Sequence, residues 1–177
     1  MADTLKINNS SLRLMKGDYT DFEIESIVYY AQNDLKLGAG FGNAISMRGG
    51  PSIQEELDKN GTMETTEAVV SAAGEMKTNH IIHAVGPKFQ EADLEDKLEK
   101  TIFNCLKKAD ENGIKAIAFP PMGCGFYGVP LDVSADIMYK VFNEYLTGDT
   151  GIEEIVICLN DNREFIPFQE RLDKIQL

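Results

Sequence analysis

Two glycine-rich runs are the residues in this chain best suited to chemistry: Gly38-Ala39-Gly40-Phe41-Gly42 and Gly123-Cys124-Gly125-Phe126-Tyr127-Gly128. Glycine admits positive φ and puts no side chain between the backbone and a ligand, so such a run can turn its amides toward an anion. Where the run opens a helix, the unsatisfied first-turn N–H groups and the positive end of the helix dipole strengthen that attraction. One loop of this kind can hold one phosphate, and two facing each other can hold a diphosphate. Taken separately, either run serves equally well as a tight turn. Asp18 offers a carboxylate acceptor and also reads as the cap of a turn or helix. Cys124, between two glycines, suggests a nucleophile displayed on a turn, with His83 as its base. The plainer readings are a small loop residue and a hydrogen-bonded histidine at a strand end.

The second run spells GxGxxG, but its context argues against a dinucleotide fold. That fingerprint opens the first βαβ unit and is followed by more strands and an acidic residue about 20 positions on. Here one strand candidate remains, and the residue at that distance is Gly148. Neither run continues into the Gly-Lys-Ser/Thr step of a P-loop. His80 and His83 are the only histidines, and Cys105, Cys124 and Cys158 form no CxxC pair, so neither a structural metal nor a disulfide framework is expected. No cofactor is implied.

The scaffold for these runs must come from 177 residues, enough for one domain that buries about two-thirds of the surface of the unfolded chain. With no linker or repeat, a single domain is expected over 1–177, with residues 1–4 disordered. A formal charge of −12 repels nucleic-acid backbones, so general nucleic-acid binding is disfavoured. Anionic small molecules remain admissible, because backbone amides attract phosphate whatever the net charge. No apolar run approaches the roughly 20 residues of a membrane span, and the first residues lack a signal-peptide pattern, so a cytoplasmic protein without membrane contact is expected.

Residues 5–16 read as extended segments around Asn8-Asn9-Ser10-Ser11, and Ile24 to Ala31 as a strand buried on both faces. A short helix over Asn43–Met47 follows the first glycine run, and Pro51 suits the first turn of another that ends at Asn60-Gly61. Glu67–Ala73 and His80–Val85 are strand candidates. Apolar residues at three- and four-residue intervals predict a helix over Leu94–Ala109, then a strand over Ile114–Phe119, a helix over Leu131–Tyr145, a strand over Ile152–Leu159 and a last helix from Asn162 to Ile175. Pro167 is tolerable only in that helix's first turn. The alternation predicts an α/β fold: a three-layer α/β/α sandwich with a central mixed, mostly parallel sheet, to which the opening segments add an antiparallel edge. Ligands of such sheets sit beyond the carboxyl ends of the strands, where both glycine runs fall.

Five blocks in register make the chain resemble the macro domain family from about Lys16 to Leu172. Gly17-Asp18-Tyr19-Thr20 is similar to Gly-Asp-Ile-Thr, and Ile27-Val28 opens the strand that usually reads on to Asn-Ala-Ala-Asn. Gly38-Ala39-Gly40-Phe41 stands for Gly-Gly-Gly-Val, His83-Ala84-Val85-Gly86-Pro87 for His-Thr-Val-Gly-Pro, and Ala118-Phe119-Pro120 leads into the loop ending at Tyr127-Gly128. The resemblance implies binding of ADP-ribose or a related adenine nucleotide, free or carried by an ADP-ribosylated macromolecule. Asp18, beside Tyr19, would accept a hydrogen bond from the adenine amine. Gln32, Gly38, Ala39, Gly40 and Phe41 would pass near the terminal ribose and one phosphate. Pro120, Gly123, Cys124, Gly125, Phe126 and Tyr127 would wrap the diphosphate and cover that ribose. Asn160 would lie beside the adenine; its alternative is the cap of the last helix.

The chain departs from the family at the positions used for hydrolysis of ADP-ribosyl esters. Gln32 replaces the second Asn of the strand motif, and Gly42 stands where an acidic residue follows the glycine triplet. Gln32 can hydrogen-bond a hydroxyl but cannot act as a base, and Gly42 offers no carboxylate to orient water. A second hydrolytic branch pairs a Lys with an Asp in the second loop, and Tyr127 takes that acidic position. Recognition is therefore expected over robust turnover. Weak hydrolysis of ADP-ribosyl esters or of ADP-ribose phosphate, with the ligand's own phosphate positioning water, is compatible with the same pocket. A hydrolase using Cys124 and His83 is the alternative.

Overall fold

A computed structural model describes residues 4–176. Thr4 already belongs to the first strand, and the expectation for residues 1–3 lies outside the described residues. The elements run β1 (Thr4–Ile7), β2 (Ser10–Lys16), β3 (Ser26–Ala31), α1 (Phe41–Gly49), α2 (Ser52–Asp58), β4 (Ala68–Ala72), β5 (His80–Val85), α3 (Leu94–Glu111), β6 (Ala116–Phe119), α4 (Leu131–Leu146), β7 (Glu154–Leu159) and α5 (Asn162–Gln176). They form a seven-stranded sheet in the order β1-β2-β7-β6-β3-β5-β4.

The sheet is buried on both faces, which explains the near-continuous apolar strands. Along β3 and β7, Val28, Ile155, Ile157 and Leu159 face a core filled by α3, α4 and α5. Ile27, Tyr29, Ala31, Val156 and Cys158 face the opposite core, packed under α1 and α2 by Ile45, Ile53 and Leu57. This α/β sandwich is the predicted one, with three adjustments.

First, the opening segments do not both form an antiparallel edge. β1 pairs antiparallel to β2, but β2 runs parallel to β7, with Leu12 opposite Ile155. The reversal falls at Asn8-Asn9, where Asn8 takes φ 51° and its amide donates to the Leu146 and Thr147 carbonyls at 3.2 and 3.0 Å. Second, β4 is antiparallel to β5 and makes the other edge, with Ala68 opposite Ala84. Third, Pro167 lies inside α5, beyond its first turn. The bond it forfeits is to the carbonyl of Arg163, an exposed residue whose backbone water can serve.

The consequence for function is positional. β2, β7, β6, β3 and β5 are mutually parallel, so their carboxyl ends share one rim. Asp18, Asn160, the second glycine run, Gln32 with the first run, and Gly86 all follow those ends.

Candidate functional site

The loop after β3 is fixed from below. Leu35 and Leu37 are buried at 1% and 3% exposure, the Tyr29 hydroxyl donates to the Leu37 carbonyl at 2.8 Å, and the Gln54 side chain accepts from Leu37 N–H at 3.0 Å. Anchored there, the chain turns through Gly38 and Gly40, both at φ 61°, into α1. Gly40 caps α1 without a side-chain hydrogen bond, so the first-turn amides face the rim uncapped. Gly42 has no room for a side chain: a Cβ there would overlap the Leu37 carbonyl and the Tyr29 hydroxyl. The space that a carboxylate would need is filled by the contact that holds the loop.

The second loop follows β6. Gly123 (φ 80°), Gly125 (φ 72°) and Gly128 (φ 77°) hold backbone conformations that L residues adopt rarely, and Gly125–Tyr127 form a 3-10 turn. Ser134 of α4 secures the base by donating to the Met122 carbonyl at 2.7 Å. The Tyr127 ring lies against Tyr30, centroids 4.3 Å apart and planes at 38°, and Phe126 stands edge-on to Tyr127 at 5.4 Å. Phe126 is 90% exposed, a rim residue free to cover a ligand.

Between the two loops is a cavity of about 470 Å³. Of the residues predicted for the site, Tyr19, Gln32, Ala39, Gly40, Phe41, Pro120, Cys124, Gly125, Phe126, Tyr127 and Asn160 line it. Gly38 and Gly123 shape the loops without lining it, and Asp18 lies outside the lining. Sequence reasoning missed Tyr29, Tyr30, Pro121 and Glu164, which also line it. Both tyrosines belong to a strand whose apolar run reads as buried on both faces, and they line the cleft because β3 ends at its rim. Burial pushes the Tyr29 hydroxyl up to about 12 and that of Tyr30 higher, so both stay protonated. A second cavity of about 480 Å³ shares Gln32, Phe126 and Tyr127 as its wall and reaches Asn33, Asp34 and Lys88.

Asp18 caps the 3-10 turn Tyr19–Asp21: its Oδ1 accepts from Thr20 N–H at 2.9 Å and from the Thr20 hydroxyl at 2.6 Å. Oδ2 meets Arg48 of α1 at 3.4 Å, and Arg48 also pairs with Asp21 at 3.1 Å. Partial burial raises its carboxyl pKa, but the Thr20 hydrogen bonds and the Arg48 charge outweigh that and hold the group below the usual carboxylate range. The capping reading of Asp18 is thus realised, and Oδ2 still has a lone pair for a ligand. Tyr19 is buried, edge-on to Phe41 at 5.0 Å, and its hydroxyl has no partner among the described residues.

The cap of α5 is one residue later than the alternative reading of Asn160. Asp161 Oδ1 accepts from Glu164 N–H at 3.2 Å, while Glu164 Oε2 accepts from Asn160 N–H at 2.7 Å and Oε1 from Asn160 Nδ2 at 3.4 Å.

The cysteine–histidine pairing finds no support in the geometry. His83 has no exposed surface and is not part of the cavity wall; its Nε2 shares a 2.8 Å hydrogen bond with Ser71, and burial lowers its pKa to about 3. It is a neutral core histidine. Burial pushes the Cys124 thiol up to about 11, with the Glu164 and Asp132 carboxylates adding to the shift. Iodoacetamide is therefore expected to label Cys124 about a hundredfold more slowly than free cysteine near pH 7.5, the rate climbing about tenfold per pH unit toward pH 11. Rapid labelling at neutral pH, located by mass spectrometry, would contradict this environment. No group of three His, Cys, Asp or Glu side chains is placed to hold a metal among the described residues.

Comparison with known proteins gives a consistent answer. The sequence model of the macro domain matches residues 28–138. A macro domain-containing protein of Caldanaerobacter subterraneus subsp. tengcongensis is 37% identical over 172 residues, covering 92% of this chain and 98% of the relative. One of Cupriavidus necator is 31% identical, covering 94% and 99%. Among solved structures, a mutant Oceanobacillus iheyensis macrodomain with ADPR superposes at TM-score 0.91 and 24% identity, covering 97% of both chains. The Trypanosoma brucei macrodomain in complex with ADP-ribose does so at TM-score 0.84 and 23% identity, covering 91% of this chain and 68% of that one. At such identities the structural likeness establishes the fold.

Proposed function

Because this chain belongs to the macro domain family, we propose that its cleft binds ADP-ribose, with the diphosphate between the two glycine loops and the adenine toward Asp18 and Asn160. The observation that carries this reading is the cavity itself. Two loops with positive-φ glycines and an uncapped helix N-terminus border a space of about 470 Å³, within the range of small-molecule sites. Backbone amides need no basic side chain to hold a phosphate, so the net charge of −12 is no obstacle. Tyr30, Phe126 and Tyr127 give the terminal ribose an aromatic cover. The second cavity, beyond Gln32, leaves room for a group carried on that ribose, which suits an ADP-ribosylated partner.

Recognition, rather than turnover, fits the positions that the resemblance assigns to catalysis and the Cys124–His83 alternative. Gly42 is packed against backbone, Tyr127 carries no carboxylate, His83 is sealed in the core and the Cys124 thiol is held protonated. None can activate water.

Titration calorimetry with ADP-ribose tests the reading. Saturable one-to-one binding is expected, with an affinity that changes less than about threefold between low and high salt, because neutral amides rather than Lys or Arg meet the phosphates. No heat at millimolar ligand would reject the assignment, and a steep loss of affinity with salt would replace the amide cradle with basic side chains.

A further inference from the structure

A carboxylate in the wall of a cleft that takes a diphosphate demands an explanation, and Glu164 is one. The order of strands supplies it. β2, β7, β6 and β3 are consecutive neighbours with carboxyl ends on one rim. Asp18 follows β2, Asn160 and Glu164 follow β7, and the two glycine loops follow β6 and β3. With the adenine at Asp18 and the diphosphate between the loops, the ribose joining them crosses the end of β7.

Glu164 is held in place there. Its Oε2 and Oε1 accept from Asn160 N–H and Nδ2 at 2.7 and 3.4 Å, and each oxygen keeps a lone pair. Glu164 and Cys124 of the second loop line the same cavity, so the carboxylate bears on the cleft. The adjacent cation, Arg163, pairs instead with Asp161 at 3.7 Å. No Lys or Arg side chain lies within ion-pair distance of Glu164 among the described residues, and no basic side chain is among the residues that line this cavity. A carboxylate can accept from a hydroxyl and repels a phosphate, and the repulsion is stronger at the wall of a partly enclosed cleft than in bulk water.

We propose that Glu164 reads the ribose next to the base: it accepts hydrogen bonds from the free 2′- and 3′-hydroxyls and rejects a phosphate on them. The cleft then selects ADP-ribose over its 2′-phosphorylated counterpart. This selectivity rests on the ADP-ribose reading above and on the adenine lying toward Asp18.

Calorimetry with ADP-ribose and 2′-phospho-ADP-ribose, on the unmodified protein, Glu164→Gln and Glu164→Ala, tests it. The unmodified protein should bind the 2′-phosphate at least about tenfold more weakly at low salt, the gap narrowing as salt screens the charges. In both variants the two ligands should move in opposite directions, ADP-ribose weakening by about fivefold or more as a charged acceptor is lost and the 2′-phosphate strengthening. Melting curves establish that each variant is folded, and two substitutions keep the test decisive if one is not. Equal binding of both ligands by the unmodified protein overturns the proposal, as does a ratio that survives in a folded variant. If neither ligand binds the unmodified protein, the ADP-ribose reading itself fails, a different result from selectivity that Glu164 does not control.

Discussion

Replacing Gly42 with aspartate is expected to destabilise the protein and to create no hydrolase. The substitution puts an acidic side chain where the resemblance to the macro domain pattern implies one. In this chain a Cβ at position 42 overlaps the Leu37 carbonyl and the Tyr29 hydroxyl, two groups already joined by a 2.8 Å hydrogen bond. The obstacle is backbone, which cannot swing aside as a flexible side chain would. The cost should reach about 3 kcal/mol, the upper part of the range for overpacking. For a chain of this size that lowers the melting temperature by about 6–12 °C. Gly42→Ala should lose nearly as much, because the clash begins at Cβ. Thermal melts of both variants, with an ester-hydrolysis assay on Gly42→Asp, check this. A stable Gly42→Asp that acquires activity would mean that the loop can re-form around a carboxylate.

Asp18→Ala is expected to weaken ADP-ribose binding by about 1–3 kcal/mol, the range for a hydrogen bond to a charged group, or about 5- to 150-fold in Kd. The same change also removes the cap on the Tyr19–Asp21 turn, so stability should fall by about 0.5–2 kcal/mol. GDP-ribose separates the two effects. Guanine presents a carbonyl where adenine presents an amine, so the unmodified protein should bind GDP-ribose far more weakly. In Asp18→Ala that preference should collapse. A variant with a lower melting temperature but an intact preference for ADP-ribose would confine Asp18 to capping. The Thr20 hydrogen bonds, with Arg48 at 3.4 Å from Oδ2, hold the Asp18 carboxyl low, and Oδ2 is the oxygen that a base could share.

Much of the architecture was legible because periodicity reports burial directly. Ile81-Ile82 in β5 and Ile155–Leu159 in β7 are apolar on both faces, and the α3 stripe of Leu98, Ile102, Cys105 and Ala109 falls on one. Strand partners carry no such local signal: the composition of Ser10–Lys16 does not say that β2 lies parallel to β7, about 140 residues away. Pro167 shows the same limit, since whether a helix tolerates the missing N–H depends on whether the orphaned carbonyl reaches water.

At the site, the sequence by itself determined the two loops, because glycine spacing encodes allowed φ values and a phosphate needs little more than amides. It also determined that no carboxylate stands at positions 42 and 127. Only the tertiary structure decided that position 42 has no room for a side chain, that His83 is sealed in the core, and that Glu164, far along the chain from either glycine loop, enters the same cleft. Side-chain type and spacing fix what a residue can do, but solvent access and neighbours are set by which strands lie side by side, and that is a property of the whole chain.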